Sequence, residues 1–395
     1  MTETALPSDR SGWFSIFSST LTAVVVGFAS TILVIMEAAR NVGASPTQQA
    51  SWAAALCFGM AITSLILSWR YKMPMITAWS TPGAVLIATS GGGITYANAL
   101  GAFVVAGLLM VVAGLIKPLE KAIEKIPAPV AAAMLAGVLL RYTLGVPGAA
   151  MAMPWAVLPL IIVFFGLRLS YPLYAVPVVV VLGVALAAFG GGFAGDCCSF
   201  GITTLEWTTP SFDWQTILSI GVPLFLVTMA SQNLPGFAVL RGSGYQPPTQ
   251  PILAVTGAAS LGTAFLGAHT SNLAAISAAL CTGPDAHPDP AQRWKTGPFY
   301  ALFWGLIALF GASLVGLFGA LPPALLATVA GTALLGSTAG ALGIALAGEQ
   351  DRLAAAGTLA VTVSGVTLMG VGSAFWGLVF GLLILGVDRF AKAKR

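Results

Sequence analysis

The 395-residue chain is 57% hydrophobic and only 8% charged, with a formal charge of +4 at pH 7. A soluble domain keeps about a quarter of its residues charged, so most of this surface must face hydrocarbon and a water-soluble enzyme is excluded. The 17 Lys and Arg residues sit singly at the ends of apolar runs instead of forming a patch, which excludes a nucleic-acid partner.

A bilayer core of about 30 Å needs roughly 20 helical residues, and dividing the chain at its charges and Gly/Pro clusters predicts fourteen spans. Residues 1–13 form a polar tail with no signal-peptide cleavage site before Glu37, so the first apolar run stays as an anchor. Seven spans follow at 14–37, 49–69, 74–91, 95–116, 127–146, 154–167 and 172–190. After the polar stretch 195–213, seven more fall at 215–238, 250–265, 266–282, 297–319, 322–346, 353–370 and 372–390. With the N-terminus inside, every Lys and Arg except Arg40 and Arg141 lies on the cytoplasmic side, as short cytoplasmic loops require. The expectation is a multi-pass protein of a bacterial inner membrane with both termini cytoplasmic. Seven spans are an odd number, so the second half enters the membrane from the opposite side, as in the inverted repeats of many transporters. A faint echo supports this: Pro129–Leu140 and Pro323–Leu334 share Pro, Ala, Ala, Gly and Leu at a constant offset of 194. The predicted fold class is therefore an all-α polytopic membrane protein arranged as a 7+7 inverted repeat.

Taken in chain order, the first span supplies Glu37, the nearest carboxyl that could relay a proton. The third carries Thr77-Ala-Trp-Ser-Thr-Pro-Gly83, which reads as extended chain turning into helix at mid-membrane, with Ser80 or Thr81 as N-cap and Pro82 at the first helical position. Arg141, ending the fifth span, is expected to snorkel to the outer interface. Cys197 and Cys198 lie in the outer loop, where a vicinal disulfide is a minority reading. The eighth span places Ser231, Gln232 and Asn233 just before Pro235, either bonding helix backbone or forming a polar wall.

The tenth span repeats the third, with Thr270, Ser271 and Asn272 expected as helix cap after His269. Its 17 residues as plain helix reach only about 25 Å, whereas five extended and twelve helical residues reach about 34 Å. Such backbone is tolerated at depth only where it lines a cavity or is buried in protein. Two half-helix N-termini meeting there would hold an anion without a basic side chain, and no Lys or Arg lies near the centre of any span. Trp79 and His269 stand at matching positions, three residues before Pro82 and Asn272. The indole could stack on a planar ring, and the imidazole could touch substrate or carry a proton. The candidate binding set is thus Trp79, Ser80, Thr81, Gly83, Ser231, Gln232, Asn233, His269, Thr270, Ser271 and Asn272. No HExxH, GxSxG or P-loop occurs, and acids at depth are too few for a metal. Neither an enzyme, a cofactor nor a metal is expected.

These residues resemble the benzoate/proton symporter family known as BenE over about residues 15–390. The stretches that carry the resemblance are Pro74–Ala84, Ala132–Arg141, Val222–Asn233, Ala286–Asp289 with Gln292–Trp294, and Gly372–Gly377. The resemblance implies uptake of benzoate or a similar aromatic carboxylate with a proton, in the fourteen-span fold of nucleobase and sulfate/bicarbonate permeases. It also implies a core domain (14–126 and 214–320) moving against a gate domain (127–194 and 321–395), with a homodimer as a frequent assembly. Nucleobase relatives carry acids in spans 8 and 10, where this chain has Gln232 and Ser271 or Asn272. Their loss suits an anionic substrate and leaves the proton on the substrate, on His269 or on Glu37. The alternatives are a passive anion pore, or a permease of the same fold for another small anion or a nucleobase.

Overall fold

The computed structural model describes residues 9–90, 93–116, 127–189, 201–274, 276–319, 321–366, 368–369 and 371–393. Lys117, Lys121, Lys125, Cys197 and Cys198 lie outside the described residues.

The first half runs α1 (Asp9–Asn41), α2 (Pro46–Tyr71), β1 (Thr77–Trp79), α3 (Thr81–Ala88), α4 (Tyr96–Leu115), α5 (Ala128–Thr143), α6 (Gly145–Ala152), α7 (Pro154–Ser170) and α8 (Pro172–Phe189). The second half opens with α9 (Trp214–Gly242), which contains two widened turns, and continues with α10 (Thr249–Ala264), β2 (Ser271–Leu273) and α11 (Ile276–Thr282). A 3-10 turn (Pro290–Lys295) leads into α12 (Thr296–Leu309), α13 (Gly311–Gly319), α14 (Pro323–Ala347), α15 (Arg352–Ser364) and α16 (Ser373–Ala393). Each of the fourteen predicted segments thus coincides with a helix, a helix pair or a strand–helix unit. Among the described residues, six stretches are long and apolar enough to cross a bilayer as helices: 12–41, 46–71, 96–115, 128–152, 214–242 and 323–347.

Local chemistry sets the helix ends. Ser45 and Gln48 form a reciprocal capping box at the start of α2, with Pro46 in the first turn, and Lys72 closes that helix in the left-handed region at φ 53°. Asp213 caps α9 by accepting from the Thr216 amide (2.8 Å) and hydroxyl (2.7 Å), and these bonds hold its carboxyl below the usual range. The widened turns of α9, Ile217–Gly221 and Met229–Asn233, each end two residues before a proline. Pro223 and Pro235 cannot donate the bond that would continue the α-helical ladder, and each crowds a carbonyl one turn back, so the helix widens there.

Packing then divides inside from outside. Trp52, Trp304, Tyr300 and Phe103 are fully buried, whereas Phe189 (92% exposed), Leu169 (87%) and Ile162 (71%) project outward. Apolar side chains this exposed belong against lipid. Helices α4 and α10 touch backbone to backbone, since a Cβ on Gly257 would lie 2.6 Å from the Val111 amide nitrogen. The two halves also keep step: β1 and β2, the ends of α4 and α12, and the ends of α7 and α15 are each separated by 194 residues.

Candidate functional site

Strands β1 and β2 form an antiparallel ribbon with Thr77 opposite Leu273, Ala78 opposite Asn272 and Trp79 opposite Ser271. The Ala274 amide donates to Ile76 (2.9 Å) and the Ser80 amide to Thr270 (3.4 Å), extending the ladder at both ends. β-Branched and aromatic residues favour this extended backbone. Helix α3 then starts at Thr81, with the Ser80 hydroxyl accepting from the Gly83 amide at 3.1 Å. Because the strands are antiparallel, α3 and α11 leave the ribbon at opposite ends. Each aims the positive end of its dipole back towards the ribbon.

The ribbon has two faces, because strand side chains alternate and directly paired residues share a side. One face turns towards α2. There the Thr77 hydroxyl lies 2.7 Å from those of Thr63 and Ser64, and the Ser271 amide donates to Ser260 Oγ at 2.8 Å. Trp79 belongs to this face, donating to Thr31 Oγ1 (2.8 Å) and packing its ring edge-on against Trp304 at 5.1 Å. The Ser271 hydroxyl is buried here without a partner. The other face carries Ala78 and Asn272. Asn272 is fully buried; its Nδ2 donates to the Leu273 carbonyl (2.9 Å), and its Oδ1 has no partner.

Helix α9 locks the ribbon from its second widened turn. Asn233 Oδ1 accepts from the Leu273 amide at 3.0 Å, and Thr228 Oγ1 reaches both Ser80 Oγ (3.0 Å) and Thr270 Oγ1 (3.3 Å). Close approach requires glycine on both sides, since a Cβ on Gly83 would lie 2.3 Å from Leu224 Cδ1 and one on Gly236 would lie 2.5 Å from Leu273 Cβ. Ser231 bonds back to the Val227 carbonyl of its own helix, and Gln232 and Thr81 are half-buried. His269 is fully buried between two partners: Trp52 Nε1 donates to Nδ1 (3.2 Å), so the proton sits on Nε2, which donates to the Ser80 carbonyl at 3.0 Å. Glu37 lies half-buried on α1, one turn before its end.

Three expectations need correction. Thr270, Ser271 and Asn272 cap no helix: the last two are strand residues, and α11 begins at Ile276. The ladder to β1 and the bond to Asn233 satisfy the groups that a cap would have served. Trp79 and His269 do not match either, because Trp79 pairs with Ser271 and ends its strand while His269 precedes its own. Arg141 does not extend freely to an interface, since its guanidinium donates to the Thr89 carbonyl at 3.3 Å and packs on Gly365. Sequence reasoning also passed over Thr228, Trp52, Ser260 and Thr31, all of which fix the site. Hydroxyls at Thr228 and Ser260 inside otherwise apolar helices were the available signal.

A family model described as "Benzoate membrane transport protein" matches residues 13–387. The chain belongs to the benzoate membrane transport protein family. Members are membrane transporters and not enzymes, and this chain is a membrane transport protein. It is 36% identical over 361 residues to the "Benzoate membrane transport protein" of Acinetobacter baylyi, covering 91% of this chain and 92% of that one. It is 38% identical over 359 residues to the "Inner membrane protein YdcO" of Escherichia coli strain K12, again covering 91% and 92%. The fold is also that of solved transporters far removed in sequence. The transmembrane domain of a cyanobacterial bicarbonate transporter, BicA, superposes with a TM-score of 0.56 at 16% identity, over 96% of this chain and 97% of that one. The murine anion transporter Slc26a9, in its inward-facing state, gives 0.62 at 12% identity, over 98% and 70%.

Proposed function

We propose that this family member imports benzoate or a similar aromatic carboxylate by proton symport, with the interrupted segments as its binding centre. The family and the Acinetobacter relative's name support the substrate class. The Escherichia coli relative's name and the Lys/Arg distribution support an inner-membrane location with cytoplasmic termini. The 194-residue spacing of matching elements supports fourteen spans in a seven-plus-seven inverted repeat. In this reading residues 14–126 and 214–320 form a core that moves against a gate of 127–194 and 321–395, within a homodimer.

One observation carries the site assignment: Asn272 Oδ1 is a buried acceptor with nothing to accept, on the ribbon face opposite α2. Leaving such a group unpaired costs about 1–3 kcal/mol, which a ligand donating to it would recover. A carboxyl group fits if its O–H meets Asn272 Oδ1 while its other oxygen faces the positive end of α3. The substrate then brings its own proton, with Glu37 as an alternative relay. In this reading Thr81, Ser231 and Gln232 line the approach, while Trp79, Ser80, Gly83, Asn233, His269, Thr270 and the Ser271 backbone hold the ribbon in shape.

Uptake of labelled benzoate into proteoliposomes tests this. An inward proton gradient should drive accumulation above the external concentration, and equilibration without accumulation would reject symport. A second reading, a passive path for a small inorganic anion, is favoured by the shared fold of the bicarbonate transporter. Strong inhibition of benzoate uptake by excess bicarbonate or chloride would support it.

A further inference from the structure

A second constellation lies away from the ribbon. A cavity sits where the C-terminal end of α3 (Leu86, Thr89), Val138 and Arg141 of α5, Thr362 of α15 and the start of α16 come together. Among the described residues, no carboxylate lines it. Arg141 is half-buried there, and the hydrogen bond it makes to the Thr89 carbonyl is a 3.3 Å contact to a neutral acceptor. A guanidinium withdrawn from water with so little compensation is costly unless a counter-charge completes it. One further feature favours an anion. The 21-residue helix α16 begins at the cavity, presenting the positive end of its dipole. Thr362, 1% exposed, lines the cavity too, but its hydroxyl is turned towards Gly377 of α16. The rest of the lining is mixed, with Leu86, Val138 and Ala374 apolar and Ser90, Ser219 and Ser373 carrying hydroxyls, and its volume of about 20 Å³ admits a small polar group and not a ring.

We infer that Arg141 anchors a second binding site for the carboxylate group of the substrate, distinct from the ribbon and placed between α3 and the α15–α16 corner. The substrate class rests on the function proposed above; the cation-lined cavity does not. In the topology of that proposal this corner faces outward, so the site meets the substrate before the ribbon does. The anion also competes with the Thr89 carbonyl for the guanidinium. Occupancy therefore loosens the bond that ties α5 to the end of α3, and capture at the outer corner is coupled to separation of these helices.

The test is equilibrium binding of labelled benzoate, and separately of labelled acetate, to purified protein bearing Asn272→Leu, Arg141→Gln, or both. Asn272→Leu should keep one saturable component for both probes, and adding Arg141→Gln should remove it. Equal binding by the Asn272→Leu and double variants, or none by Asn272→Leu, would overturn the inference. If Asn272→Leu instead leaves uptake and total binding unchanged, the ribbon assignment fails while an Arg141-dependent component still decides the outer site. In proteoliposomes, Arg141→Gln should raise the KM for benzoate about tenfold, as loss of one charge-assisted contact implies, with maximal rate held within about twofold. Arg141→Lys keeps the charge without the fork and should fall between. Should Arg141→Gln not elute as folded protein, the same Asn272→Leu comparison is run with Arg141→Lys, and unchanged acetate affinity there would equally reject the site.

Discussion

Segments 3 and 10 both pass from extended chain into helix, yet they hold that shape by different means. Segment 3 encodes its own helix start, with Ser80 as cap and Pro82 in the first turn, although its strand is held from outside, the Thr77 amide donating to Ser64 Oγ of α2. Segment 10 borrows its shape from elsewhere, because Ser260 takes the Ser271 amide, Asn233 takes the Leu273 amide, and Ile76 takes the Ala274 amide. The consequence falls on the side chains. Those of segment 3 are used up in building the fold, whereas Ser271 Oγ and Asn272 Oδ1 of segment 10 remain buried and unpaired. In the proposed site, the segment that encodes its own helix start supplies the dipole, and the other keeps Asn272 Oδ1 unpaired on the face a guest would meet.

That division can be broken in order of expected effect. Asn272→Leu should abolish benzoate uptake while changing the melting temperature of the purified protein little, because Oδ1 satisfies nothing in the fold and Nδ2 bonds only the adjacent Leu273 carbonyl. A melting temperature several degrees lower would mean that Asn272 is structural. Asn233→Leu should destabilise by about 1–3 kcal/mol, since it orphans the buried Leu273 amide; thermal unfolding in detergent reads this directly, and an unaltered curve would show that segment 10 does not depend on α9. Ser80→Ala should cost about 1 kcal/mol, the usual worth of a helix cap. Ser271→Ala should be nearly neutral, within about 0.5 kcal/mol. If Ser271→Ala proved the more damaging of these two hydroxyl deletions, the contrast between the segments would be reversed.

Much of this was legible before any coordinates, for reasons that the same two segments explain. The start of segment 3 could be read to within one residue because Ser80, Pro82 and Gly83 act on their own backbone. The start of segment 10 was misplaced, with Thr270, Ser271 and Asn272 read as a cap, because side chains with capping chemistry were paired instead with a strand roughly two hundred residues away. No local pattern announces such a partner. The matching of Trp79 with His269 failed similarly: it counted residues from a proline that segment 10 lacks, whereas the 194-residue spacing sets Trp79 against Leu273 and His269 against Met75. The roles of Trp52 and Thr228 depend on which helices meet across the ribbon, which hydropathy does not report.

The imidazole wedged between α2 and segment 3 has one more implication. An indole can give a hydrogen but never take one, so the Trp52 ring obliges the facing nitrogen of His269 to stay bare. Adding a proton there would set two donors head to head in a place that water does not reach. If the proposed symport holds, the accompanying proton is expected to bypass this ring, and replacing His269 should loosen the framework more than it alters the stoichiometry of coupling.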